Sequence, residues 1–408
     1  MALISPFRAL RPRRDRVSAV AAPPYDVVDT AEARALADGN PDSFLRVSRP
    51  ELELGDDVDP HEEQVYALAR TNLDALVERG VLVRDDEPGL LVYRQVMGEA
   101  VQTGIVGCAS VADYRRGVIA THEHTRPDKE ADRTRHIEVL RAHDEPVFLM
   151  YRADAPGAAE VAEVVDAVTA GEPEYDLTTD DGIRHTLWTV TDDEHLPALV
   201  DAFGEMATLY VADGHHRSAA AARVAEVRRE AGAAEFPSVV FPADQLTVMA
   251  YNRVVRDLAG HDVASLLEAL AADFEVHEVE GAPTPGRHEF GLYVSGRWYL
   301  LAARAGVVDE EDPIARLDVA VLQDRVLAPL LGIADPRTDQ RIAFVGGIRG
   351  TAELVRLVDS GAHAAAFALH PTSTEEVMDV ADLGQVMPPK STWFEPKLSS
   401  GLFVHPID

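Results

Sequence analysis

Apolar and polar positions along this chain follow two periods, one near 3.6 residues and one of two, and the switches between them mark its elements. Thr208–Ala212 is a short apolar run closed by Asp213-Gly214, which predicts a buried strand ending in a tight turn. The Ala-rich run after Arg217 predicts a helix. Upstream, Val65, Leu68, Ala69, Leu73, Leu76 and Val77 recur at helical spacing, with Gly80 where a C-cap belongs. Leu90–Arg94, Gly104–Val111, Pro146–Tyr151, His185–Thr191, Ser238–Phe241 and Leu246–Val255 read as strands, as does Ser43–Val47. His136–Arg141, Pro156–Gly171 and Glu194–Phe203 read as helices.

Beyond Gly260 the pattern predicts a helix over Val263–Ala272 and a hairpin of Glu289–Val294 with Arg297–Ala302, turning at Ser295-Gly296. An amphipathic helix over Leu317–Leu331 follows, then strand and helix in alternation from Ile342 to Val380. Trp188 and Trp298 fall inside apolar strand patterns and are expected in the core. Arg253 and Arg256 flank Val254-Val255 and predict a charged strand edge. The alternation predicts an α/β fold (α+β, mixed sheets). It is divided into an N-terminal α+β region (1–105), a core (106–259) and a C-terminal α/β domain (260–408).

Composition narrows the classes of function. The chain has 408 residues, 46% of them apolar, and no apolar run of membrane-spanning length, so no membrane partner is expected. Arg11, Arg13, Arg14 and Arg16 lie near the start, but no apolar stretch follows them as in a secretory leader, and a cytoplasmic location is expected. Cys108 is the single cysteine, which excludes an intrachain disulfide and a thiolate metal cluster. The net charge of −32 opposes general nucleic-acid binding, which needs a basic face. Lys129, Lys390 and Lys397 are the only lysines, so each one stands out.

Against this background, Asp213-Gly214-His215-His216-Arg217 places two imidazoles, a guanidinium and a helix N-terminus at one strand-to-helix junction. That combination suits an anion, phosphate above all. Asp213 can orient a histidine or hold a Mg²⁺-bound water. His122-Glu123-His124 admits three readings: a general base at Glu123, a chelating histidine pair if the segment is a strand, or plain solvated loop. Lys390-Ser391-Thr392, between Pro389 and Trp393, offers an ammonium and two hydroxyls that can grip a small carboxylate or phosphate, or it is a surface turn. Tyr25 and Asp26, after Pro23-Pro24, line a cleft or brace the core. No P-loop, no dinucleotide-binding glycine motif and no nucleophile elbow is present.

Four segments, Ala22-Pro23-Pro24-Tyr25-Asp26-Val27, His122-Glu123-His124-Thr125, Asp213–Arg217 and Met387-Pro388-Pro389-Lys390-Ser391-Thr392, together resemble the family catalogued as domain of unknown function 1015. The His-Glu and Asp-Gly-His-His-Arg segments, with Pro371–Met378 leading to Pro389–Thr392, also resemble the archaeal free serine kinases. That resemblance implies a ParB/sulfiredoxin-like core and a kinase acting on the hydroxyl of a small metabolite, free L-serine first, with ATP or ADP as donor and Mg²⁺. It implies Glu123 as base, His215, His216 and Arg217 as phosphate ligands, and Lys390 and Thr392 as substrate contacts. Together with the reading of the residues themselves, the expected site is Glu123 and Asp213 for catalysis, Gly214, His215, His216 and Arg217 for the nucleotide phosphates, and Lys390, Ser391 and Thr392 for the substrate. No resident protein-bound metal is implied, and a homodimer is the candidate assembly. Two departures stand out: Phe394 replaces a histidine that follows the lysine, and the span from Glu123 to Asp213 is long, implying an insertion near Asp154–Gly182. His215 stands where sulfiredoxin has its cysteine, which excludes that sulfur chemistry. The alternatives to a kinase are a non-catalytic nucleotide-binding regulator and a metal-dependent phosphohydrolase built on His122, His124 and His215 or His216.

Overall fold

The computed structural model describes residues 3–408. The chain folds as two compact units, residues 1–246 with 396–408, and Thr247–Glu395. The sequence suggested breaks after residues 105 and 259. In the structure, strand Ala100–Ser110 runs straight across the first of these positions, and the last thirteen residues return to the first unit.

The first unit is built on a nine-stranded mixed sheet. Its order is Ile119–Ala120, Leu209–Asp213, Val147–Tyr151, Glu235–Pro242, Ala100–Ser110, Leu90–Met97, Arg184–Val190 and Tyr175–Thr178, with Ile4–Ser5 on the far part of Ala100–Ser110. Most pairs are antiparallel, but Leu209–Asp213 runs parallel to Ile119–Ala120, and Glu235–Pro242 runs parallel to Val147–Tyr151. Helices Ala158–Thr169 and His195–Glu205 pack together and bury Val161, Leu199 and Phe203 against the sheet. Ser43–Val47, expected as a strand, lies instead in a short helix, Leu45–Ser48. Five residues are too few to separate a period of two from one of 3.6, and Leu45 and Val47 are buried either way.

The second unit carries a six-stranded antiparallel sheet in the order Phe274–Val279, Arg297–Ala303, Glu289–Val294, Ala365–Leu369, Tyr251–Val255, Ile342–Gly346. Leu246–Val255, read as one strand, is two: Thr247–Met249 pairs with Trp393–Glu395, and Tyr251–Val255 enters the main sheet. Because Tyr251–Val255 has a neighbour on each side, Arg253 is not on a charged edge. It is 3% exposed, whereas Arg256, past the strand end, is exposed. The expected helix at Leu317–Leu331 begins as α-helix over Asp318–Leu322 and widens to a π-turn over Gln323–Leu327. Pro329, which lacks an N–H, follows one residue later, after Ala328, and the helix does not continue.

Candidate functional site

Strand Leu209–Asp213 and helix His215–Val227 are separated by Gly214 alone. Leu209 and Val211 are fully buried, each worth about 1.5–3 kcal/mol. Ala219, Ala220 and Ala221 keep the helix surface thin where it packs on helix Pro127–Leu140. Gly214 takes φ 101°, a left-handed conformation that lets the chain turn from strand to helix in one residue. Among the described residues no side chain caps this helix, so its first-turn amides are left without a side-chain acceptor. A Cβ on Gly214 would stand 3.3 Å from Arg217 Nε and 3.4 Å from its Cζ. Gly214→Ala is therefore expected to cost about 1–2 kcal/mol in chemical denaturation through backbone strain. It is also expected to weaken any anion held by Arg217.

The parallel pairing of Leu209–Asp213 with Ile119–Ala120 makes both chains leave the sheet at the same end. It brings the segment from Thr121 to Arg126 beside the start of the helix. Two imidazoles complete the attachment: His215 Nε2 accepts the His122 N–H at 3.4 Å, and His216 Nε2 accepts the Arg126 N–H at 3.0 Å. Glu123, exposed, lies in the loop between these two ties. An Nε2 that accepts must be unprotonated, so the proton of each neutral ring sits on Nδ1. Burial pushes both rings below the ordinary imidazole pKa, with His122 adding to the effect on His215 and Arg126 to that on His216. His122 is pushed down to about 4 by burial, against Asp213 and the Val211 carbonyl, and its Nε2 is buried with no partner among the described residues.

The segment holding His122 and His124 is a loop, with His122 buried and His124 exposed, so the two rings do not share a side as a chelating strand would require. Among the described residues no group of three or more His, Cys, Asp or Glu side chains is arranged to hold a metal ion.

Asp213 pairs with Lys397 at 2.9 Å, and Arg217 Nη2 lies 3.5 Å from Asp26 and 3.9 Å from Asp213. Burial alone would raise the Asp213 carboxyl, but Lys397 and Arg217 outweigh it and hold it well below the usual carboxylate range. Burial disfavours the Arg217 charge too, yet Asp26, Asp213, Tyr25 and Glu145 keep its pKa above the ordinary guanidinium value. Arg217 Nη1 also donates to the Pro146 carbonyl. Lys397 was singled out only as one of three lysines, and its pairing could not be read from a distance of 184 residues. Tyr25 is a brace, for its ring lies 4.1 Å beneath the Arg133 guanidinium, and Asp26 faces Arg217.

Glu145 is a further residue that sequence reasoning missed. It is buried, accepts the Ser400 hydroxyl at 2.6 Å, and faces both Asp144 and Arg217. Burial first, then Asp144, push its pKa from 4.5 up to about 8. A carboxyl raised on folding binds its proton more tightly in the folded state. It therefore stabilises most fully below pH 4.5, and that contribution drains away as pH rises to about 8. Glu145→Gln, which cannot ionise, is expected to flatten the fall in urea midpoint across this window. An unchanged slope would rule the assignment out.

In the second unit, Lys390 takes φ 57° and sets its Nζ 5.4 Å from the Tyr251 ring centre. Ser391 donates its hydroxyl to the Pro388 carbonyl at 2.5 Å and is buried, while Thr392 is half-buried.

Solved structures offer distant likenesses. A free serine kinase in complex with AMP is 16% identical, with a TM-score of 0.35, over 73% of this chain and 92% of that one. A conserved hypothetical protein from Pyrococcus furiosus is also 16% identical, with a TM-score of 0.34, over 73% and 95%. SbnI from Staphylococcus aureus, C-terminally truncated, is 12% identical, with a TM-score of 0.38, over 72% and 84%. Among curated proteins none matches. Residues 4–320, most of the chain and all but one of the four motif segments, match the family described as Protein of unknown function (DUF1015), and the chain belongs to that family.

Proposed function

We propose that the first unit carries the phosphate site and the base of a small-molecule kinase, which transfers a phosphoryl group from ATP or ADP to a hydroxyl, that of free L-serine first. The observation that carries this reading is the tie between two motifs ninety residues apart. His215 and His216 hold the Glu123 loop against the helix start where Arg217 presents its charge. Phosphoryl transfer asks a protein mainly to position its reactants and to stabilise charge. The uncapped helix amides, the Nδ1–H groups of His215 and His216, and Arg217 are suited to holding phosphate oxygens. Glu123, exposed in its tied loop, would take the hydroxyl proton. Asp213 would align the site through Lys397 and Arg217.

A Mg²⁺ ion that travels with a nucleotide is held mostly by phosphate oxygens and water and needs only one or two carboxylates. Asp26 and Asp213, which flank one guanidinium nitrogen, fit that requirement. The ion would neutralise phosphate charge, and the protein's own residues would do the positioning. The substrate roles of Lys390, Ser391 and Thr392 rest on the motif resemblance alone.

The test is an assay of the purified full chain with L-serine, Mg²⁺ and either ATP or ADP, read as phosphoserine by mass spectrometry. Phosphoserine formation is the expected result. Nucleotide binding by calorimetry with no product from any hydroxyl acceptor would favour a regulatory nucleotide sensor instead.

A further inference from the structure

A second chemistry lies wholly within the second unit. A pocket of about 240 Å³ opens between strand Tyr251–Val255, the π-turn Gln323–Leu327 and the Pro388-Pro389 pair. That volume is just below the range of drug-sized sites and suits a metabolite of amino-acid size.

Arg253 forms one wall. It is 3% exposed, and among the described residues no carboxylate pairs with it. Carbonyl oxygens are its partners: Tyr251, Lys390 at 3.0 Å and Pro389 at 3.4 Å, with the Phe344 ring 5.3 Å away. Burial lowers its pKa to about 10, so it stays charged at neutral pH. A buried charge held only by dipoles is costly unless something anionic completes it.

Gln323 forms the opposite feature. Its amide nitrogen donates to the Ile333 carbonyl at 2.8 Å, but its Oε1 is buried and accepts no hydrogen bond among the described residues. The residue opens the π-turn, a rare distortion that is concentrated at functional sites and that costs regular helix hydrogen bonds. Val319, Leu327, Pro388 and Pro389 supply apolar lining.

We infer that this pocket is a binding site for a small carboxylate that carries a hydrogen-bond donor next to the carboxylate. The planar fork of Arg253 takes the carboxylate, and Gln323 Oε1 accepts from the neighbouring N–H or O–H. One guanidinium matches one negative charge. The other cation at the pocket, Arg337, is neutralised by Asp335 at 3.0 Å, so a dianionic phosphate would be under-compensated. L-alanine and L-lactate are small ligands with this pattern.

The test is calorimetric titration of the full chain with L-alanine, L-lactate, L-alaninamide and inorganic phosphate. Saturable binding of alanine or lactate with a Kd of about 1 mM or tighter is expected, with alaninamide and phosphate at least about tenfold weaker. Gln323→Leu removes the orphan acceptor, and Ala334→Leu narrows the exposed rim of the pocket. Each is expected to weaken alanine binding at least about tenfold while the far-UV spectrum is unchanged. Arg253→Gln is expected to abolish binding if it folds, and the two milder variants decide the matter if it does not. The proposal is overturned if the wild-type chain binds none of the carboxylates. It is equally overturned if alaninamide or phosphate binds as well as alanine, or if neither Gln323→Leu nor Ala334→Leu changes the affinity. Alanine has no hydroxyl to phosphorylate, so its binding is read without turnover, and the Gln323 and Ala334 variants separate this pocket from the serine contacts proposed at Lys390–Thr392.

Discussion

Glu123→Gln is expected to lower phosphoserine formation about 10²–10⁴-fold, the usual contribution of a positioned general base. Glu123 is exposed in a loop that is tied on both sides by backbone N–H groups, so the substitution leaves both ties in place. The amide keeps the size of the side chain and removes its proton affinity. The change should therefore fall on kcat, with nucleotide affinity by calorimetry staying within about twofold. Full activity in the variant would remove Glu123 from the mechanism. A large loss of nucleotide affinity would recast Glu123 as a binding residue.

Arg217→Met should have the largest effect on stability. The Arg217 side chain is 8% exposed and faces Asp26, Asp213 and Glu145. Removing one member of a buried charge group leaves the others uncompensated, which typically costs about 3–5 kcal/mol. Because Asp26 is 38% exposed and Asp213 is 30% exposed, solvent screens part of this, and a loss near about 3 kcal/mol is expected. Urea denaturation at neutral pH measures it. The paired comparison is Arg13→Met, whose ion pair with Asp15 is 56% exposed on both sides and should matter little. Equal losses in the two variants would mean that the charge group does not hold this end of the sheet together. Arg217→Lys should recover part of the loss, since an ammonium restores the charge but not the donation to the Pro146 carbonyl.

Most elements were legible in the chain because their signals are local. The strand and helix around Gly214 were read from an apolar run, a glycine and an alanine stretch. The hairpin at Ser295-Gly296 was read from its turn residues and carries φ 51° and 77° there. Readings failed where the local signal was shared between states. Ser43–Val47 is too short to show a period. Arg253 looked like an edge residue because the number of neighbours a strand has is not encoded within the strand.

Sequence sufficed to place the Asp-Gly-His-His-Arg segment at a strand-to-helix turn, because an apolar run, a glycine and an alanine stretch are signals that lie within a few consecutive residues. It could not show that Lys397 pairs with Asp213, or that Glu145, pushed towards neutrality, lies beside Arg217. Nor could it show that the two histidines spend their Nε2 atoms on the loop that bears Glu123. These depend on the parallel pairing of Leu209–Asp213 with Ile119–Ala120 and on the return of the last residues to the first unit. Sheet order and chain return are set by the summed burial of many side chains, so the residue partners they create leave no mark in the spacing of any one motif.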